Sequence, residues 1–289
     1  MARTATRRTP KLTVEQAHEQ LVAHVESLTT SAQWLEYLNC AAKFHSYSPN
    51  NVLLILMQCP DATRVAGFHT WKALGRSVKK GSSGIAILCP CIYRHQIEDE
   101  GAGETTARSR LAGFRIGYVF DIADTDGADL PDVADIVQHP KGEAPDGMFE
   151  ALAAQVEAAG FSVKVDEHLD DSLGTAWGRT NYGDRTVTVR STADPAGRCK
   201  TLAHELAHVL LHEHQLYSHR GTVEIEAESV AYIVSAHCGL DTSSYSAGYL
   251  ASWSGGNDEQ IMATAGRVLT CARGIIAALQ GASAEEVAA

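Results

Sequence analysis

One five-residue motif in the second half of this 289-residue chain limits its fold more than any other feature. The motif is HELAH, residues 204–208. On a helix, residues four positions apart lie on one face, about 6 Å apart along the axis, so the imidazoles of His204 and His208 can reach one ion. Glu205 lies beside them, where a carboxylate can take a proton from a metal-bound water. We therefore predict a catalytic Zn²⁺ site with His204 and His208 as ligands and Glu205 as the base.

The residues around the motif support this interpretation. Apolar side chains recur at helical spacing and predict a buried helix face: Leu202, Ala203, Leu206, Val209 and Leu210. A predicted strand, RTVTVR, precedes the helix, and we expect it to pair with an extended peptide substrate at a sheet edge. The alternative is a surface helix that is merely rich in histidine.

The motif leaves the third protein ligand of the zinc open. His214 falls at the third histidine of the longer pattern HExxHxxGxxH, but the glycine of that pattern is Leu211 here, so we expect His214 to point away. Glu224 and Glu228, one turn apart on a second predicted helix, are better candidates. We favour Glu224 as the ligand and Glu228 as an acid that orients a ligand histidine, with the reverse order as the alternative. Glu226 falls on the opposite face, and a solvated acidic surface would show the same pattern.

Peptide hydrolysis also requires a proton donor or an oxyanion-stabilising group. The sequence does not separate four candidates for this role: Tyr217, Tyr232, His237 and Tyr245. Further histidines extend the cluster, and we interpret them as structural: His212, His214 and His219.

Charge is divided unevenly along the chain and indicates two modules. The net charge is −11, but residues 1–90 contain 10 basic and 5 acidic residues, whereas the remainder contains 14 basic and 30 acidic ones. Within the basic part, cationic and aromatic side chains are interleaved, a combination that holds the backbone and bases of single-stranded DNA. The candidate DNA-binding residues are Phe68, Trp71, Lys72, Arg76, Lys79 and Lys80, with His69 among them. The alternative is that Phe68 and Trp71 are core residues and that the lysines are only solvated.

The patterning predicts an α+β chain of two domains. We place a basic disordered arm at 1–12, a first domain at 13–125, an acidic linker at 126–147, a second domain at 148–280 and a tail at 281–289. The first domain is a mixed domain with a β-hairpin, and the second is a zincin-like, gluzincin-type domain.

Local signals predict the main elements of both domains. Thr13, followed three residues later by Gln16, predicts the start of helical structure, and Pro49 predicts the first turn of another helix. A strand that begins at Ile85 and the segment FRIGYVFDI predict the hairpin. In the second domain we predict a helix from Met148 to Gly160, strands SVKVDE and RTVTVR, and helices at 195–216, 223–238 and 257–280.

The chain resembles a known family in both halves. GRCKTLAHELAHVLLH followed by EIEAESVAYIVSAHCGLDTSSYSAGYLASW resembles the metallopeptidase half of ArdC-type antirestriction proteins and their ImmA/IrrE relatives. SYSPNNVLLILMQCPDATRVAGFHTWKALGRSVKKGSSGIAILCP and VFDIADTDG resemble the ArdC N-terminal module. The resemblance aligns Glu224, Ala227, Glu228 and Ala231 with the family's glutamate helix. It implies a single-stranded-DNA-binding domain fused to a zincin domain, linked to antirestriction or to cleavage of a regulatory protein.

The expected function is that of a DNA-binding zinc metallopeptidase acting on a regulatory or DNA-associated protein, whose identity the sequence does not give. The alternative is a non-proteolytic protein that shields single-stranded DNA, with a structural or vestigial zinc. A zinc-dependent nuclease is disfavoured because one such site lacks a second metal. Glu205 separates the first two classes, because a structural zinc site does not require it.

Cysteine content and hydropathy suggest a compartment. The seven cysteines include no CxxC pair, and the basic N-terminus is not followed by an apolar signal segment, so we expect a cytoplasmic protein with reduced thiols. No uninterrupted run of about 18 apolar residues occurs, so we expect no membrane partner.

Overall fold

The computed structural model describes residues 12–27, 31–98, 105–127, 142–166, 176–213, 220–242 and 258–288. The chain divides into two compact units, one of Met1–His24 with Asn50–Leu130 and one of Val25–Pro49 with Pro131–Ala289. The helices are α1 (Val14–Ser27), α2 (Ser31–Lys43), α3 (Pro49–Gln58), α4 (Phe68–Ala73), α5 (Met148–Ala158), α6 (Pro195–His212), α7 (Arg220–His237) and α8 (Asp258–Ala288). The strands are β1 (Val65–Gly67), β2 (Arg76–Val78), β3 (Ile85–Glu98), β4 (Thr105–Asp121), β5 (Thr125–Gly127), β6 (Ser162–Asp166), β7 (Gly178–Asn181) and β8 (Thr186–Arg190). The predicted mixture of helices and strands is confirmed in both units.

A long β3–β4 hairpin forms the centre of the first unit. Its strands pair antiparallel from Ile85 opposite Val119 to Glu98 opposite Thr105, with an irregularity after Cys91. β1 pairs with the other side of β4, giving the order β1-β4-β3, and β2 pairs with β5 in a separate two-stranded sheet. The predicted hairpin is confirmed, and β3 extends further than its sequence pattern indicated.

Helix starts in this part of the chain follow their sequence signals. The backbone N–H of Thr13 donates to Oε1 of Gln16 at 3.0 Å, and that of Gln16 donates to Oγ1 of Thr13 at 3.2 Å, which is a reciprocal capping box at the start of α1. Helix α3 begins at Pro49, where a missing N–H costs no helical hydrogen bond. Both predicted starts are confirmed.

Two side-chain amides attach α3 to β3. Asn51 donates from Nδ2 to the Leu88 carbonyl at 3.0 Å and accepts from the Leu88 N–H through Oδ1 at 2.8 Å. Gln58 repeats this pattern with Ala86, donating to its carbonyl and accepting from its N–H at 2.9 Å in each case. The helix is therefore fixed to the strand by four directional bonds as well as by its buried apolar face.

The domain boundaries differ from the predicted ones in three places. Arg76 of β2 pairs with Gly127 of β5, so the first residues assigned to the acidic linker belong to the fold of the first unit. Helix α2, which we predicted within the first domain, belongs to the second unit. Helix α8 continues to Ala288, so residues 281–288, predicted as a tail, are helical. Residues 1–11 of the predicted arm and 128–141 of the predicted linker lie outside the described residues.

Helix α2 joins the second unit because its apolar face packs against α7. The buried Trp34 donates from Nε1 to the hydroxyl of Ser229 at 3.0 Å. The hydroxyl of Tyr232 donates to Oδ1 of Asn39 at 2.6 Å. Leu38 is also fully buried in α2. Helical periodicity predicts that this face is buried but does not identify the partner that buries it.

A small sheet in the second unit leads into helix α6. Its strand order is β6-β8-β7, with β6 parallel and β7 antiparallel to β8. After β8, the Asp194 carboxylate accepts from the Gly197 N–H at 2.6 Å and caps α6, and Pro195 occupies the first turn. The strands β6 and β8 and helices α5 to α8 were predicted, whereas β7 was not.

Helix α8 contains a long apolar segment. Gln260–Gly281 is long and apolar enough to cross a membrane by length and composition alone, and half of it is buried inside the protein. Core helices pass the same test, and the buried side chains here include Ile261, Val268, Leu269 and Ile276. The burial explains its apolar composition as that of a core helix.

Candidate metal centre

Three potential ligand atoms from α6 and α7 converge on one point. His204 Nε2 and His208 Nε2 are 3.0 Å apart, and Glu224 Oε2 lies 3.6 and 3.7 Å from them, respectively. The centre of this triangle is about 2.0 Å from each atom, which matches Zn–N and Zn–O bond lengths. Within the described residues, this is the one cluster of at least three such side chains that could hold an ion. The donor set therefore fits a divalent metal.

Glu228 faces the other ring nitrogen of His204. Its Oε2 is 3.1 Å from His204 Nδ1, and its Oε1 is 3.6 Å from Lys200 Nζ. A carboxylate in this position fixes the ring orientation of a metal ligand and the nitrogen that carries the proton. The geometry favours Glu224 as the ligand and Glu228 as the orienting acid, the order that we preferred from the sequence.

Carboxylates dominate the electrostatics of this cluster. Burial lowers the pKa of His204, but its hydrogen bonds to Glu224 and Glu228 and the charge of Glu205 outweigh this effect and raise the pKa to about 10. Hydrogen bonds to His204 and His208 hold the pKa of Glu224 well below its ordinary value. The arrangement of acids around two imidazoles therefore favours a bound positive charge, whether protons or a metal ion.

Glu205 is buried on α6 and held by strand β7. Its Oε2 accepts a hydrogen bond of 2.7 Å from the hydroxyl of Thr180. A Cβ atom on Gly178 would lie 2.7 Å from Glu205 Oε1 and 2.5 Å from Thr201 Cγ2, so any larger residue would force the strand or these side chains to move. Sequence reasoning missed Gly178 and Thr180 because β7 has no apolar alternation that would have revealed it.

The site opens into a cleft of about 1370 Å³. In addition to the residues of the metal cluster and Glu205, its lining includes Trp177, Gly178, Arg179, Thr180, Tyr182 and Lys200. The Tyr182 hydroxyl donates to the backbone carbonyl of His208 at 3.1 Å. Burial, followed by the nearby charge of Glu205, raises the pKa of Tyr182 to about 12, so its hydroxyl keeps its proton at neutral pH. Tyr182 is a candidate proton donor that the sequence analysis did not include.

The predicted proton donors do not line this cleft where the structure describes them. Tyr232 donates to Asn39, and His237 Nε2 is 3.3 Å from Gln280 Nε2, so neither of these two candidates lines the cleft. The remaining candidates and the excluded histidines of the adjoining segment lie outside the described residues: Tyr217, Tyr245, His214 and His219.

Glu226 lies away from the metal cluster, as its place on the helix indicated, but it is not solvated. It is buried between His212 and Arg267. Burial raises the pKa of Glu226, but hydrogen bonds from His212 and Arg267 outweigh this effect and hold it below its ordinary value. The alternative of a solvated acidic face is therefore excluded for this glutamate.

The strand RTVTVR is not at a sheet edge. It contains β8, which lies between β6 and β7 and bonds to both. The prediction that this strand pairs with a substrate is therefore wrong, since its backbone groups are used within the sheet. Among the described strands, β7 is the edge strand that lines the cleft.

The predicted DNA-binding residues of the first unit separate into core and surface groups. Trp71 is fully buried, and its Nε1 donates to the Phe120 carbonyl at 2.9 Å, so its predicted role in base stacking is wrong. Phe68 is 52% exposed and can still contact a ligand. Arg76 donates from Nε to the Thr125 hydroxyl at 2.8 Å and helps to join β2 to β5.

The lysines of this segment lie at the surface. Lys72 and Lys80 are exposed. Lys79 is also exposed, and its Nζ donates to the Ala123 carbonyl at 3.0 Å and lies 3.5 Å from Asp126 Oδ1. The three predicted lysines are therefore exposed, and one of them, Lys79, is already paired with an acid.

Two domain families match the chain in the order that the sequence resemblance indicated. Residues 12–120 match the N-terminal domain of anti-restriction factor ArdC. Residues 164–248 match the IrrE N-terminal-like domain of peptidase family M78. The chain therefore contains, in this order, a segment that matches the ArdC N-terminal domain and one that matches the IrrE-like domain, and the resemblance to ArdC-type proteins is confirmed.

Solved structures with the same fold come from a plasmid antirestriction protein. The metal-free crystal structure of antirestriction ArdC from the R388 plasmid has a TM-score of 0.52 and 20% identity, covering 92% of this chain and 97% of that one. The Mn(II)-bound structure has a TM-score of 0.50 and 19% identity, covering 91% and 97%. An uncharacterized protein of Bacillus anthracis is 28% identical over 295 aligned positions, which cover 88% of this chain and 49% of that protein. The chain therefore spans about half the length of that relative.

Proposed function

We propose that the protein is a metal-dependent peptidase attached to a DNA-binding domain, and that it cleaves a regulatory or DNA-associated protein. The observation that carries the proposal is the position of Glu205. This buried acid follows directly after one potential ligand, His204, and lines the same cleft as the converging ligand atoms. A site that only stabilised a fold would not require an acid there.

His204, His208 and Glu224 would hold the ion. Two imidazoles and one carboxylate are typical of catalytic zinc, while the ArdC relative from R388 binds Mn(II), so both ions are relevant. A bound divalent ion supplies Lewis-acid chemistry, which polarises a carbonyl oxygen and makes water a better nucleophile at neutral pH.

Glu205 is the proposed general base. Its carboxylate is oriented by the Thr180 hydroxyl through Oε2. From this position it takes a proton from the attacking water and passes it to the leaving amine. Tyr182 lines the same cleft, and its hydroxyl, once released from the His208 carbonyl, is proposed to stabilise developing negative charge there.

Strand β7 gives the substrate a place to bind. It is the edge strand of its sheet and contributes Gly178, Arg179 and Thr180 to the cleft lining. An extended peptide can add to such an edge through main-chain hydrogen bonds, which orient a scissile bond without a particular sequence. The proposed substrate is therefore an exposed, extended protein segment.

The first unit is proposed to bind single-stranded DNA. Its exposed Phe68 offers a ring for base stacking, and Lys72 and Lys80 offer cations for the backbone. This surface also supports the second candidate function, in which the protein shields DNA without cutting protein and the metal is structural.

One comparison tests the proposal. The chain, loaded with Zn²⁺ or Mn²⁺, is incubated with a bacterial lysate with and without a short single-stranded DNA, and new protein N-termini are identified by labelling and mass spectrometry. We expect new N-termini with the unaltered chain and none with Glu205→Gln, although both bind metal. Identical N-termini from the two proteins would exclude the peptidase and leave the DNA-shielding function.

A further inference from the structure

A network of hydrogen-bonded polar side chains, buried at its centre, leads away from the candidate metal centre. It begins at His208, whose Nδ1 is 3.0 Å from Nδ1 of His212, one turn later on α6. Nε2 of His212 is 3.0 Å from Oε2 of Glu226 on α7. The side chains of His212 and Glu226 are only 3% and 1% exposed, so solvent does not replace either partner.

Arg267 of α8 is the last residue of this network. Its Nε donates to Oε1 of Glu226 at 2.8 Å, and its Nη2 also contacts Oε1 and donates to the hydroxyl of Thr264 at 3.0 Å. The guanidinium neutralises the buried carboxylate, which is otherwise costly to keep away from water. Glu226 is therefore held in place as the acceptor for the N–H of His212 Nε2.

The geometry assigns one position to each ring proton. Nε2 of His208 belongs to the ligand triangle, so a neutral His208 that binds an ion there carries its proton on Nδ1. That proton is donated to Nδ1 of His212, whose own proton then lies on Nε2 and is donated to Glu226. Each ring nitrogen of His208 and His212 is therefore either a donor or an acceptor, and every donor in the network faces an acceptor.

We propose that His212 and Glu226 are positioning residues that fix the ring orientation and tautomer of His208 and thereby strengthen metal binding. This inference rests on the proposed function, because it requires His208 to be a ligand. The two ligand histidines are then supported differently. Glu228 contacts Nδ1 of His204 directly, whereas the carboxylate that supports His208 acts through a second imidazole.

The test measures the Zn²⁺ affinity of the full chain by competition with a chromogenic chelator. His212→Leu replaces the imidazole with an apolar side chain of comparable size and so removes both ring nitrogens. We expect the Zn²⁺ affinity to fall about 10- to 100-fold, as for other groups that support a metal ligand. His212→Gln offers an amide oxygen to His208 and an amide N–H to Glu226, so we expect it to restore most of the affinity.

Ser229→Ala is the matched control. It removes another buried hydrogen bond of α7, the one that Ser229 accepts from Trp34 at 3.0 Å. The hydrogen bonds that join His208, His212 and Glu226 stay intact. We expect it to lower the thermal stability of the metal-free protein and to leave Zn²⁺ affinity unchanged. If His212 had only a structural role, His212→Leu would behave like Ser229→Ala, with lower thermal stability and unchanged Zn²⁺ affinity.

Two results would overturn the proposal: a folded His212→Leu variant that binds Zn²⁺ as tightly as the unaltered chain, or an equal loss of affinity in Ser229→Ala. If His212→Leu does not fold, Glu226→Gln provides the comparison. It keeps the shape and one acceptor but removes the charge, and unchanged affinity would again contradict the proposal. Failure of the peptidase function gives a different result, in which the affinities differ but no substrate is cleaved.

Discussion

The hydroxyl of Thr180 donates a hydrogen bond of 2.7 Å to Oε2 of Glu205, and this bond joins edge strand β7 to the helix that carries both ligand histidines. A hydrogen bond to a charged group contributes about 1.5–3 kcal/mol. In Thr180→Val we therefore expect kcat/KM to fall about 10- to 100-fold with little change in metal affinity. The assay is a fluorogenic peptide built from a cleavage site found in the lysate experiment. Thr188→Val, on the neighbouring strand, is the control and should retain activity.

Gly178→Ala should displace Glu205. The added methyl group would meet Glu205 Oε1 at 2.7 Å and Thr201 Cγ2 at 2.5 Å, so the strand or the acid must move. We expect a loss of about 1–3 kcal/mol in the free energy of unfolding, together with loss of peptide cleavage. In the control Gly183→Ala, the new Cβ would meet Asn181 Oδ1 at 3.4 Å, which is ordinary contact. Equal urea unfolding curves for the two variants would show that β7 does not require a glycine.

Glu224 and Glu228 should differ in their effect on metal binding. Glu224→Gln removes a proposed ligand, and we expect Zn²⁺ affinity to fall by more than about 100-fold. Glu228→Gln removes the acid that faces His204 Nδ1, and we expect a smaller loss of about 10- to 100-fold. Chelator competition at fixed pH measures both constants. The opposite order would exchange the roles of the two acids.

His45 and His237 should make the second unit less stable in mild acid. Their rings pack edge to face with centroids 4.7 Å apart, and burial lowers the pKa of each histidine below its ordinary value. The unfolded chain therefore takes up protons first, as the pH falls through about 6.5. Stability is full above that pH and falls below it until the folded protein is also protonated.

His237→Gln should reduce this acid sensitivity. The free energy of unfolding of the metal-free chain, measured by urea denaturation between pH 8 and pH 5, should fall less steeply in the variant. The unaltered chain, measured over the same pH range, is the reference for this slope. Equal slopes in the unaltered chain and His237→Gln would contradict the prediction.

Substitution of Trp71 should lower stability, whereas substitution of Phe68 should mainly weaken DNA binding. Trp71→Ala removes a fully buried ring, so we expect the first unit to lose about 3–5 kcal/mol of stability. Phe68→Ala changes an exposed side chain and should alter stability by less than about 0.5 kcal/mol. If Phe68 stacks on a base, its loss should weaken binding to a fluorescent single-stranded oligonucleotide by about 1–3 kcal/mol. Unchanged binding in Phe68→Ala would remove that residue from the proposed DNA surface.

Local patterns in the sequence predicted those parts of the site that lie within one or two helical turns. The HELAH spacing placed His204, Glu205 and His208 correctly on one helix, and the spacing of Glu224 and Glu228 placed both acids beside them. Such spacings follow from the 3.6-residue period, which requires no knowledge of the tertiary fold.

The parts that sequence analysis missed depend on contacts between distant segments. Strand β7 has the sequence GRTN, whose residues carry no period-two signal, and its role follows from the contact of Thr180 with α6. The sequence predicts only a structural role for His212, because its partner Glu226 is 14 positions away. Trp71 was assigned to a surface because aromatic and cationic neighbours are typical of both a binding face and a core edge.

The amides of Asn51 and Gln58 also determine how the hairpin behaves toward other molecules. β3 is the outer strand of its sheet, a position from which a second polypeptide could continue the ladder. At Ala86 and Leu88 both the N–H and the carbonyl are already engaged by α3. Helix α3 therefore blocks this stretch of the hairpin edge from pairing with a strand of a second chain.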